Sequence, residues 1–289
     1  MFKSTIAVIV ITLMSGCASD KPELRQRYWG GGVQLMEETQ YVDEMANGPH
    51  RSYYQSGAIK VDSTYLNNQL HGSYQAYYEN GSPYKQEHYD NGKLHGESVT
   101  YCETGQIKEK HFFSHGQRDG RSEVYYKCSG KLTEVTNYSA GVIADKQNFY
   151  QSGSPREQLA YVAGKLDGLA ITYYENGNVK SESPYQAGRY HGTRVDYFWD
   201  GSLKEKSDYA NGKLEGLARH YYEGEGQLRM STEYRNGRKN GDRKKYSESG
   251  KLWLLEQYKD DKLDGKTRRF SASGKVIKTI TYSAGEELR

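Results

Sequence analysis

Polar and apolar positions recur along this chain with one fixed period. A Gly returns at Gly57, Gly81, Gly105, Gly130, Gly153, Gly177, Gly201, Gly226, Gly250 and Gly274, spaced 23 to 25 residues apart. Eight residues after each stands an aromatic: Tyr65, Tyr89, Phe113, Tyr138, Tyr161, Tyr185, Tyr209, Tyr234, Tyr258 and Tyr282. A second aromatic column precedes the Gly, from Tyr53, Tyr77 and Tyr101 through to Phe270, and an apolar or Pro column follows it by two, from Ile59 and Pro83 to Val276. Such a period marks an array of small supersecondary units, each stacking on its neighbours. Within Gly72 to Gly96, SYQAYY and PYKQEHY read as two strands around Asn80-Gly81. That dipeptide predicts a type I′ hairpin turn, since both residues tolerate positive φ. The return loop DNGKLHG is too short for a crossover helix, so successive strands run antiparallel. Strict alternation places the apolar column and the later aromatic column on one face. The expected fold is all-β, an elongated, twisted antiparallel β-meander of about ten hairpin repeats.

Composition sharpens this expectation. The chain has 28 Tyr, 32 Gly and 5 Pro, with only 35% hydrophobic residues. Tyr replaces aliphatic residues, which suits short strands and Gly-rich turns. A mean hydropathy of −0.96 excludes a polytopic membrane protein. Disordered chains of similar polarity are poor in aromatics, whereas this one holds 13%. With 40 Lys and Arg against 37 Asp and Glu, the net charge of +3 excludes a strongly charge-driven nucleic-acid binder.

The first residues read as an address. MFKSTIAVIVITLMSGC carries one early cation, Lys3, and an apolar stretch from Ile6 to Met14, too short to span a bilayer. Leu13-Met14-Ser15-Gly16-Cys17 resembles the lipobox of bacterial lipoproteins, with Met14 where a smaller aliphatic residue is usual. The resemblance implies a signal peptide over 1–16, lipidation of Cys17, and anchoring in the cell envelope. Ala18 after the Cys implies the outer membrane, facing the periplasm. Residues 17–47 then hold the lipidated Cys, a tether and an N-terminal cap built as a half-repeat around Tyr28-Trp29-Gly30-Gly31-Gly32.

The repeats YYENGSPYKQEHYDNGKLHG, YYENGNVKSESPYQAGRYHG and FWDGSLKEKSDYANGKLEG resemble the bacterial MORN-variant repeat, over residues 48–285. The resemblance implies a non-catalytic protein-binding array without cofactor. In some members it implies dimerisation, anionic lipid contact or an antitoxin or immunity role. Departures are Ala144 in place of a loop Gly and one-residue insertions at Lys127-Cys128-Ser129 and Gly224-Glu225. The expected partner is a protein, either a toxin or effector or an envelope component, with the membrane met through the N-terminal lipid and no nucleic acid. The alternative is an envelope scaffold that links outer-membrane assemblies or holds a glycan. A homodimer through the terminal strand near Tyr282 is compatible with the array.

Chemistry along the repeats points to binding. Glu109, Glu134, Glu157 and Glu205 each fall four residues after a turn Gly, on the face of Tyr89, Phe113, Tyr138, Tyr161, Tyr185 and Tyr209. Either these side chains line a wet groove, or a β-bulge turns the Glu residues to solvent and leaves the Tyr residues as plain core. Arg235, Arg238, Lys239, Arg243, Lys244 and Lys245 form the most basic stretch, a patch for an anionic partner or a solvated loop. His71, His95 and His191 share a loop position that other repeats fill with Asp119, Asp167, Glu215, Asn240 and Asp264, which is turn chemistry and not a metal or catalytic set. Cys102 and Cys128 lie on first strands of adjacent repeats, about 10 Å apart across an intervening strand, so no disulfide is expected.

Overall fold

The computed structural model describes residues 8–10, 21–30 and 32–288, all of whose regular elements are β-strands. The proposed signal segment, apart from the backbone of Val8–Val10, lies outside the described residues, as does Cys17. Two compact units divide the chain, Met1–Val142 and Ile143–Arg289, and each is an antiparallel meander in which successive long strands pair, while two-residue strands such as Lys93–Leu94 pair, among the described residues, only with the strand before them. In the first, Gln69–Tyr77 pairs with Pro83–Asp90. In the second, Gly192–Tyr197 pairs with Leu203–Ala210 in the same register.

The type I′ turn expected at Asn80-Gly81 is found on the return loop instead. At the Asn80-Gly81 end, Gly81 N donates to Tyr78 O at 2.9 Å and Tyr78 N to Ser82 O at 2.8 Å, and only Gly81 has a positive φ, 83°. This is a type I turn closed by Gly in the left-handed region, not the type I′ turn expected there. The type I′ geometry sits on the return loop, where Asn91 and Gly92 have φ of 45° and 76°. Non-Gly residues fill its first position throughout, as Ala140, Ala163, Ala187 and Asn211 show.

A β-bulge follows every first turn. Tyr101 pairs with Ile107 and Thr100 with Glu109, leaving Lys108 unmatched. The extra residue reverses the alternation. The apolar column at Ile107 and the aromatic column at Phe113 therefore lie on opposite faces, which corrects the shared face expected from simple alternation. Glu109, His111 and Phe113 remain on one face because no bulge separates them.

The core is thin and made of small residues. Ser63, Thr136, Ser183, Ser207 and Thr232, each two residues before the later aromatic, are buried, as are Ala76, Ala170 and Ala218 beside them on the same face. Small side chains here let the long side chains of neighbouring rows close over them. Residues 23–42 form a complete hairpin, not a half-repeat: Glu23–Tyr28 pairs with Leu35–Val42 through the same bulge, and Trp29 N donates to Gln34 O at 2.9 Å. Val8–Val10 pairs antiparallel with Arg25–Arg27 on its outer side.

Candidate binding site

Within the first compact unit, Tyr89, Phe113 and Tyr138 share a face and are half-buried. Each faces a Gly of its own hairpin, Gly72, Gly96 and Gly120, which has no side chain to compete for the space over the strand. Tyr89 donates to Glu87 Oε2 at 2.8 Å, and Ser98 Oγ donates to Glu87 Oε1 at 3.0 Å. Burial and that carboxylate contact push the Tyr89 hydroxyl well above its ordinary range.

Glu109 and Glu134 stand on the same face and are half-buried, so the bulge does not turn them to solvent. Small polar neighbours hold them. Glu109 Oε2 lies 3.4 Å from His111 Nε2, and Thr136 Oγ1 donates to Glu134 Oε1 at 2.9 Å. Burial lowers the affinity of His111 for a proton, and its Nδ1 is a buried atom without a hydrogen-bond partner.

The second compact unit repeats the arrangement. Tyr161, Tyr185 and Tyr209 are half-buried, and Tyr190 packs between Tyr185 and Tyr209 with centroid distances of 4.6 and 5.1 Å. The Arg194 guanidinium lies 5.5 Å over the Tyr190 ring and donates to Asp196 Oδ1 at 2.8 Å. Glu157 accepts from Asn148 Nδ2 at 2.8 Å, and Glu205 accepts from Ser207 Oγ at 2.6 Å with His220 Nδ1 at 3.3 Å. A Tyr row beside tethered carboxylates is thus present in each unit, with one edge of its rings open to solvent.

The basic stretch is not one patch. Lys239, Arg243 and Lys245 alternate with Lys244 along Arg238–Tyr246, so its charges divide between two faces. Arg243 Nε donates to Glu256 Oε2 at 2.5 Å, Lys244 pairs with Asp242 at 3.2 Å, Lys239 lies 5.2 Å over the Tyr258 ring and Lys245 5.7 Å over Trp253. Of the six, Arg235 and Arg238 are the exposed ones, at the return turn, with Arg238 4.0 Å from Asp260.

The loop position shared by His71, His95 and His191 is a bulge residue with a capping task. His95 N donates to His88 O, and in equivalent places Asp167 Oδ2 accepts from Ala187 N at 3.0 Å and Glu215 Oε2 from Asn236 N at 2.7 Å, in the next turn along. Among the described residues no group of three or more His, Cys, Asp or Glu is placed to hold a metal.

Two features escaped the sequence reading. A third aromatic column stands one residue after the second, at Tyr54, Tyr78, Tyr150, Tyr174 and Tyr222. Each hydroxyl donates to a backbone carbonyl of the next repeat, those of Tyr77, Tyr101, Tyr173, Tyr197 and Tyr246, at 2.7 to 2.9 Å. The signal was the Tyr-Tyr doublet. Cys102 occupies this same column, and it forms a disulfide with Cys128 of the next repeat, Cα–Cα 5.9 Å. The expected separation was wrong because neither Cys lies within a regular strand. The inserted residue widens the turn to Tyr126–Lys131, and Lys127 and Cys128 both take positive φ, 35° and 61°, which carries Cys128 back toward Cys102.

Comparison with known proteins agrees with the repeat. The MORN repeat variant is found at four positions, residues 70–91, 166–187, 239–260 and 263–284. Each MORN-variant match runs from the bulge through one hairpin to the first residue of the return turn. No curated protein matches the chain. Among solved structures, it is similar to a chain of a mutant Tc holotoxin pore from Photorhabdus luminescens, at 12% identity and a TM-score of 0.20, over 90% of this chain and 14% of that one.

Proposed function

We propose that this chain is a non-catalytic binding array that docks a protein partner on its Tyr and Glu face from the cell envelope. The observation that carries this reading is the recurrence, in both compact units, of half-buried Tyr rings beside carboxylates held by Ser, Thr and Asn. Rigid amphipathic rings supply contact area at small entropic cost, and fixed carboxylates supply orientation. The Cys102–Cys128 disulfide supports an exported location, since such bonds persist in oxidising compartments. The lipobox-like segment ending at Cys17 supports a lipid anchor, outer-membrane and facing the periplasm. The specific partner we favour is a toxin or effector that reaches the periplasm, neutralised where it acts; the resemblance to immunity-labelled repeat proteins supports it.

The test is affinity capture from the envelope of the native host with the anchored protein, compared with a Tyr185→Ala, Tyr209→Ala variant. Recovery of one secreted toxin, lost in the variant, is the expected result. Recovery of envelope assembly proteins in its place would turn the reading toward a scaffold, and capture unaffected by the variant would remove the Tyr face from the interaction.

A further inference from the structure

The return-loop edge of the second compact unit carries one cation in each of five successive repeats, Lys165, Arg189, Lys213, Arg238 and Lys262, all exposed, and the column ends at Glu286 after the last turn. Their placement follows from the turn. Each is the residue after a type I′ turn, and its stem lies against the corresponding turn of the following repeat. A side chain placed at Gly188, Gly212, Gly237 or Gly285 would meet the Cβ of Lys165, Arg189, Lys213 or Lys262 at 4.0, 3.7, 3.6 and 3.9 Å. The stems are thus aligned by the backbone that they cover, and the heads project in register.

Several acidic groups close to this edge are engaged: Asp167, Glu215 and Asp261 accept from backbone N–H groups at the turns, and Asp260 lies 4.0 Å from Arg238. The others, Asp264 and Glu286, stand toward the C-terminal end of the row. The residues paired with the five cations add charge: Val162, Gln186 and Ala210 are neutral, while Arg235 and Lys259 are basic. A cleft of about 810 Å³ opens beside the row, lined by the four cations Lys213, Arg235, Arg238 and Lys259 together with the three carboxylates Asp242, Asp260 and Asp264.

The spacing identifies the occupant. Cations one repeat apart are separated by two strands, about 10 Å. Side chains on one face of an extended acidic peptide recur at about 6.6 Å, out of step with the cations, and duplex phosphates at about 3.4 Å per strand, which leaves two phosphates unpaired between successive cations. Strand twist of about 20–25° turns successive cations by about 40–50°, so a flat bilayer meets only part of the row while a flexible chain follows all of it. We propose that this edge binds a linear anionic glycan charged at every second sugar ring. This site is separate from the Tyr and Glu face and does not depend on it.

The test is titration of the full mature chain with hyaluronan oligosaccharides of graded length, which carry one carboxylate per disaccharide. Affinity should rise with length until the oligosaccharide spans the five repeats, and should fall as salt rises. The variant Arg189→Gln, Lys213→Gln, Arg238→Gln should bind at least about tenfold more weakly. Lys60→Gln, Lys108→Gln, exposed residues of the other compact unit, should bind as the parent does. Circular dichroism spectra matching the parent's would establish that both variants fold. Absence of hyaluronan binding at low salt, binding unchanged in the triple variant, or preference for phosphatidylglycerol vesicles, polyglutamate or single-stranded DNA would overturn the proposal.

Discussion

At the scale of single residues, this fold spends backbone strain in its return turns and recovers order through Tyr hydroxyls. Ala187 stands at φ 48°, a conformation that costs an L-residue with a Cβ roughly 1–2 kcal/mol and that Asn tolerates better. Asn211 and Asn236 occupy the same position one and two repeats on, at φ 51°. Ala187→Asn should therefore stabilise the protein by about 0.5–1 kcal/mol, read as a raised midpoint in urea with an unchanged slope. The Tyr174 hydroxyl, 2.9 Å from Tyr197 O, ties one repeat to the next. Removing it in Tyr174→Phe should cost about 0.5–1.5 kcal/mol. Phe198 offers the reverse experiment, because it fills the same column without a hydroxyl; Phe198→Tyr should gain stability by the same measurement if the staple geometry is general.

At the scale of the repeat, the Cys102–Cys128 disulfide takes over the staple that Tyr provides elsewhere. The bond closes a loop of 26 residues, so losing it should cost about 3.5 kcal/mol in a chain-entropy account. Cys102→Ser, Cys128→Ser should show that loss in denaturant unfolding. Cys102→Tyr, Cys128→Ser should recover about 1 kcal/mol of it by restoring a hydroxyl in the column. Stability no higher than that of the Ser pair would mean that Tyr cannot reach across at this widened turn. The strand pairs, antiparallel order and the aromatic columns at Tyr89 or Tyr101 were legible in the sequence because they depend on periodicity and short loops. The face of Ile107 was not legible, because one bulge residue, Lys108, reverses every later side chain without altering composition. The disulfide was hidden for a related reason: strand spacing predicts distances between ladder positions, and Cys128 sits in an irregular turn. The shared face of Glu109 and Phe113 could be read because they lie four residues apart beyond the bulge.

At the scale of the whole molecule, stability rests on packing Tyr rings over small residues, and this couples folding to pH in a definite direction. Burial, aided by hydrogen bonds to Glu38 and Glu123, pushes Tyr53 and Tyr125 from 10.0 up to about 12. Burial raises Tyr65, Tyr74, Tyr185, Tyr209, Tyr234 and Tyr258 as well. A Tyr with a raised folded pKa keeps its proton in the native state while the unfolded chain releases it. The native state then binds more protons, and stability falls as pH rises. The contribution is whole below pH 10 and is lost progressively toward pH 12. On the acid side, burial lowers His50 and His111 below 6.5, so their contribution is whole above 6.5 and is lost as pH falls through their folded values. Thermal midpoints should therefore form a plateau between these limits. The alkaline limb should be the steeper, since the raised Tyr residues outnumber the two lowered His residues. Tyr53→Phe, Tyr125→Phe should flatten that limb while leaving the acid one in place. A midpoint that stays level to pH 12 would show that the rings ionise as freely in the fold as in the unfolded chain, and that the Tyr columns are wetter than their burial implies.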